Sequence, residues 1–188
     1  MKYLSFKKRN QILERVSVIK GERFRYASRA GTTITLGFGE DAPSETFGCR
    51  DASGLYIPTP CTTPRYTLHI ECIFSINRKE RILLSQDDLL KPSKNFKKSR
   101  KNLEEEPDKI GNTRYNEITA KHSVKLGYGE TVTDVSVTKF GDLVIEMTKG
   151  FYLLVIPYRK DGDEAWRFFD YSEKRGHFVV GYCKIMEF

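Results

Sequence analysis

Apolar and polar residues alternate with a period of two through the last third of the chain. Leu143, Ile145 and Met147 fall on one side, and Asp142, Val144, Glu146 and Thr148 on the other. Lys149-Gly150 interrupts the run, Phe151 to Pro157 is almost continuously apolar, and Asp161-Gly162-Asp163 precedes a further stretch from Ala165 to Phe169. Side chains of an extended chain point to opposite faces in turn, so this spacing with turn residues at each reversal predicts antiparallel strands burying one face.

The first half carries a weaker version of the same pattern. Ile12, Leu13, Val16 and Ile19 recur at helical spacing within residues 8–20, with Gly21 as the stop. Glu22 to Ser28 and Thr32 to Phe38 alternate around Ala30-Gly31 and predict a hairpin. Residues 40–64, rich in proline and glycine, predict a loop with a short strand near Leu55 to Ile57. Arg65 to Asn77 reads as one long strand, with Tyr66, Leu68, Ile70, Cys72, Phe74 and Ile76 on one face and His69 and Glu71 on the other. Arg78-Lys79-Glu80 turns it into Arg81 to Ser85, and Asn112 to Lys125 reads as a short helix.

These elements predict an α+β fold: two packed antiparallel β-meanders with an N-terminal helix and a charged linker between the halves. Residues 1–90 hold the helix and the first sheet region, 91–111 the linker, and 112–188 the second sheet region, with one shared core. Whether the halves are a distant duplication or two independent meanders stays open.

Composition adds limits. A chain of 188 residues with 39% hydrophobic residues can bury a core without disulfide staples. The four cysteines lack CxxC spacing, and Cys72 sits at an apolar strand position, where an inert core thiol is expected. The longest apolar run, Phe151 to Pro157, is too short to span a bilayer, and no leader-like apolar region follows the basic N-terminus, so the cytoplasm is the expected location and no membrane is involved. The net charge of +7 concentrates in Lys2, Lys7, Lys8 and Arg9 and in residues 91–101. The second cluster runs straight into Glu104, Glu105 and Glu106, which suits a self-compensating solvated loop. The competing reading is a nucleic-acid contact through Lys94, Lys97, Lys98, Arg100 and Lys101 around Phe96.

Candidate chemistry is sparse. His69 and Glu71 share the polar face of a strand, an arrangement that suits a general base for a hydrolase or transferase and equally a partner-facing surface pair. No GxSxG, HExxH or phosphate-loop motif occurs, and neither a metal site nor a cofactor is expected. Trp166 and Phe168 take one face of their strand and Arg167 and Phe169 the other. One face belongs to the core. The other supplies an arginine and an aromatic ring, the residue types favoured as interface anchors.

The segments LGFGE (36–40), YTLHIECIFSI (66–76), RILLSQDDL (81–89), VTDVSV, GDLVIEM, LLVIP, EAWRFFD and HFVV resemble a group of uncharacterised bacterial proteins. That group shows FGE, LHxxCxWRI, GxLxIxFxxGxxLxVFP, ExWRxF and HFVV in this order. The chain departs from the pattern at Phe74-Ser75, where the group has Trp-Arg. The resemblance implies the architecture and a bacterial cytosolic setting, and no mechanism. By analogy of class alone, it suggests a non-enzymatic protein-binding module of the immunity-protein kind that blocks a toxin, with Arg167, Phe169, His69 and Glu71 as partner-binding residues.

Overall fold

The structure is a computed structural model that describes residues 3–44, 48–50, 56–58, 61–93, 113–122, 126–158, 164–171, 177–181 and 184–187. The basic cluster Lys94, Lys97, Lys98, Arg100 and Lys101 lies outside the described residues, as does most of the proposed linker. The fold is α+β, with two antiparallel sheets of six and five strands and a short N-terminal helix.

Helix α1 (Phe6–Val16) starts at Ser5, whose hydroxyl accepts from the Lys8 amide, and continues into a 3-10 turn at Ser17–Ile19. Its apolar face buries Ile12 and Val16 completely, with Ile19 beside them. The strands β1 (Phe24–Ala30), β2 (Thr33–Ser44), β5 (Cys61–Ile70), β11 (Glu164–Asp170), β12 (Phe178–Gly181) and β13 (Lys184–Glu187) form the six-stranded sheet in that order. The order β7 (Arg81–Ser85), β6 (Ile73–Arg78), β10 (Phe151–Ile156), β9 (Leu143–Met147), β8 (Val132–Val137) forms the other. Two short strands, β3 (Gly48–Arg50) and β4 (Tyr56–Pro58), pair with each other. Each sheet draws strands from both halves of the chain.

The stretch read as one strand, Arg65 to Asn77, is two. β5 ends at Ile70 in the six-stranded sheet, and β6 begins at Ile73 in the five-stranded one. The alternation survives the crossing because both strands aim at the same interior: Tyr66, Leu68, Ile70, Cys72, Phe74 and Ile76 are all buried. The proline-rich region also holds more strand than expected, since β2 runs on to Ser44 and pairs there with the start of β5.

One apolar cluster fills the space between the sheets, with Trp166, Phe24, Phe38, Phe74 and Phe178 among its largest fully buried members. Burying a large apolar side chain contributes about 1.5–3 kcal/mol, and each of these rings contributes on that scale. Helix α2 (Gln86–Leu90) is closed by a capping box in which the Asp88 carboxylate accepts from the Ser85 amide at 3.0 Å. Asp88 also meets Arg114 at 3.0 Å, at the start of α3 (Arg114–His122). α3 falls within the 112–125 reading, of which residues 112 and 123–125 lie outside the described residues. It is pinned to β1 by the Tyr115 hydroxyl, which donates to the Ala27 carbonyl at 2.8 Å. Among the described residues no helix is long and apolar enough to cross a membrane.

Candidate functional site on the outer face of the six-stranded sheet

Because Tyr66, Leu68 and Ile70 of β5 take the core, Thr67 and His69 point outward; on β11, Trp166 and Phe168 take the core and leave Arg167 and Phe169 outside. The register sets them side by side. Arg167 lies opposite His69, and Phe169 opposite Thr67. On the other flank of β5, Thr35 faces His69 and Gly37 faces Thr67. Gly37 is required by packing: a Cβ there would stand 2.7 Å from both the Pro64 Cγ and the Tyr26 Cε1. The Tyr26 ring and Pro64 occupy the space that a side chain would fill.

Phe169 is the hub. Its centroid lies 4.6 Å from His69, 4.3 Å from His177 and 5.7 Å from Tyr171, whose ring is nearly parallel to it at 6°. Arg167 donates through Nε and Nη2 to the two carboxylate oxygens of Glu164, and its Nη1 lies 3.3 Å from the His177 Nδ1. An arginine only donates, so this contact takes the His177 Nδ1 as acceptor. The guanidinium also lies 5.9 Å from the Phe169 centroid. Arg167 is therefore held on three sides, while the Phe169 ring keeps part of its surface open.

Electrostatics separate the two expected partners, His69 and Glu71. Burial pushes the His69 imidazole below its ordinary value, the Arg167 cation lowers it further, and the Glu164 carboxylate acts in the opposite direction. His69 is thus neutral at pH 7. Arg167 is shifted upward, chiefly by its hydrogen bond to Glu164, with a smaller contribution from Glu71. Glu71 closes β5 by donating its amide to the Ala165 carbonyl. The site is thus organised around an Arg167–Glu164 pair, with the imidazole of His69 beside the guanidinium and Glu71 supporting the arginine.

Sequence spacing alone points to His69, Glu71, Arg167 and Phe169 and misses Glu164, His177, Tyr171 and Tyr26. Glu164 stands three residues from Arg167, which on a regular strand places them on opposite faces. A bulge in the β11–β12 pairing between Glu164 and Trp166 reverses that parity. Ala165 and Trp166 are both buried in consequence, and Glu164 reaches Arg167. His177 immediately precedes β12 and is brought to Arg167 by the β11–β12 pairing.

Two clefts occur elsewhere, on the five-stranded sheet: one of about 750 Å³ lined by Arg78, Lys79, Glu80, Arg81 and Leu83, and one of about 290 Å³ beside Val144 and Tyr152. Among the described residues no group of three or more His, Cys, Asp and Glu side chains is placed to hold a metal ion. No family model, curated protein or solved structure matches the chain.

Proposed function

We propose that this chain is a non-enzymatic protein-binding module that contacts its partner through the outer face of the six-stranded sheet. Arg167 and Phe169 are the anchors, with His69 and Glu71 beside them. The narrower form is an immunity protein that covers the active site of a bacterial toxin. The observation that carries this reading is the ordering of Arg167 by Glu164 and His177 next to a partly open Phe169 ring. Arginine and aromatic anchors dominate interface energetics, and side chains already fixed lose less entropy when a partner docks.

The test is affinity capture from the source organism with the wild-type chain, a Phe169→Ala/Arg167→Ala variant and an Ile82→Ser control on the five-stranded sheet. A specific protein retained by the wild type and the control, and lost by the double variant, supports the reading. Calorimetry with that purified partner should then show about a thirtyfold loss of affinity for each anchor. Equal retention by all three proteins refutes it. A second reading, general-base catalysis by His69, draws support from an imidazole held unprotonated at neutral pH. It requires His69→Gln to abolish turnover of a substrate that the wild type converts.

A further inference from the structure

A second surface is built where the N-terminal segment meets the turn between β8 and β9. The turn is pinned: the Thr138 hydroxyl donates to the Asp142 carboxylate at 2.8 Å and accepts from the amides of Phe140 and Asp142 at 3.2 Å each. The N-terminal segment is tied to it by the Leu4 amide, which donates to the Lys139 carbonyl at 3.0 Å, and by burial of the Leu4 side chain. These two anchors present rings to solvent. Tyr3 stacks on Phe140 at 5.5 Å, and the Lys139 ammonium lies 5.5 Å from the first centroid and 5.1 Å from the second.

Phe6 opens α1 three residues after Tyr3. Tyr3 is 62% exposed and Phe140 37%, and Phe6 is 70% exposed. Basic side chains accompany these rings. Lys7 is exposed in the first turn of α1, which holds no acidic residue, and the Arg9 guanidinium lies 5.7 Å from the Phe6 centroid. The Arg9 Nε is buried without a hydrogen-bond partner among the described residues.

We infer that Tyr3, Phe6 and Phe140, with Lys139, Lys7 and Arg9, form a binding surface for single-stranded nucleic acid. Bases stack on the open rings, and the adjoining phosphates meet the cations. Every base has a π-face, so such a surface is tolerant of sequence, and the Lys139 ammonium, 5.1 Å from the Phe140 centroid, sets a positive charge beside the rings for the phosphate backbone. Two alternatives fit the geometry less well. Insertion into a lipid surface needs rings that lead and cations that trail, whereas here the Lys139 ammonium lies against the ring pair and would be drawn into the apolar layer. A protein partner is disfavoured because lysine is depleted from the centres of protein interfaces. The surface shares no residue with the Arg167 cluster.

The test is fluorescence anisotropy of a labelled uridine homopolymer with the full chain across a salt titration. Wild type should bind with an affinity that falls linearly with salt on logarithmic axes. Tyr3→Ala/Phe140→Ala should weaken binding about tenfold with the salt slope unchanged. Lys139→Gln should reduce the slope by about 0.7, the share of one phosphate on a single strand. Thermal melting confirms that both variants stay folded, since the deleted groups are exposed. The inference is overturned if the wild type does not bind, or if it binds a duplex as tightly as the single strand. It is also overturned if the chain sediments only with phosphatidylserine vesicles. Binding that is lost in Lys97→Gln/Lys98→Gln/Lys101→Gln and unchanged in Tyr3→Ala/Phe140→Ala assigns the contact to residues 91–101, and equally sinks the inference.

Discussion

Replacing Glu164 by Gln keeps the shape of the outer-face cluster and removes the charge that holds Arg167. One side-chain oxygen still accepts from the guanidinium; the second bond and the charge assistance are lost. A hydrogen bond to a charged group contributes roughly 1.5–3 kcal/mol and a neutral one about 0.5–1.5, so the substitution removes about 1 kcal/mol before screening. The Arg167 side chain is 33% exposed and that of Glu164 20%, so solvent reduces this to about 0.5 kcal/mol. For a chain of this size the melting temperature should fall about 1–2 °C.

The sharper consequence is at His69. The Glu164 carboxylate is the charge that opposes Arg167 there, so removing it must lower the imidazole further below its ordinary 6.5. Because the folded imidazole resists protonation more than the unfolded one, the unfolded chain binds more protons below about pH 6.5 and stability falls as the pH drops from there. That fall should extend to lower pH in Glu164→Gln. Proton NMR titration of the His69 ring, with urea unfolding at several pH values, measures both effects. An imidazole pKa that is unchanged or raised in the variant would refute the electrostatic account of the cluster.

Three further outcomes follow from the packing. Gly37→Ala forces a Cβ to within 2.7 Å of Pro64 and Tyr26, so it should cost about 1–3 kcal/mol and shift the Tyr26 ring resonances, read by thermal melting and NMR. Lys79 holds a left-handed φ of 53° between β6 and β7, so Lys79→Gly should stabilise the fold by about 0.5 kcal/mol. A lower melting temperature in that variant would mean that the lysine side chain contributes more than its backbone strain costs. Tyr115→Phe removes the 2.8 Å bond to the Ala27 carbonyl and should cost about 1 kcal/mol in urea unfolding, with the Tyr128 hydroxyl at 3.4 Å remaining as a weaker donor. Alkaline absorbance titration should also lose the phenol that burial has pushed up to about 12.

Local periodicity determined much of this molecule. The alternation in β9 and β11, the helical spacing of Ile12, Val16 and Ile19, and the inward face of Tyr66 to Ile76 were all legible, because burial against one interior imposes a period that each segment carries by itself. The same argument placed Arg167 and Phe169 away from Trp166 and Phe168. Tertiary structure decided the rest. A period of two records which side of a strand is buried and holds no information on the neighbouring strand. It therefore could not show that the chain changes sheets at Glu71-Cys72, that β5 pairs with β11, or that β6 pairs with β10. Nor could it show the bulge that brings Glu164 to Arg167, since one extra residue in a strand reverses the parity on which the reading depends. The cluster of His69, Glu164, Arg167, Phe169 and His177 exists only after those pairings form, because its members come from segments more than ninety residues apart in the chain.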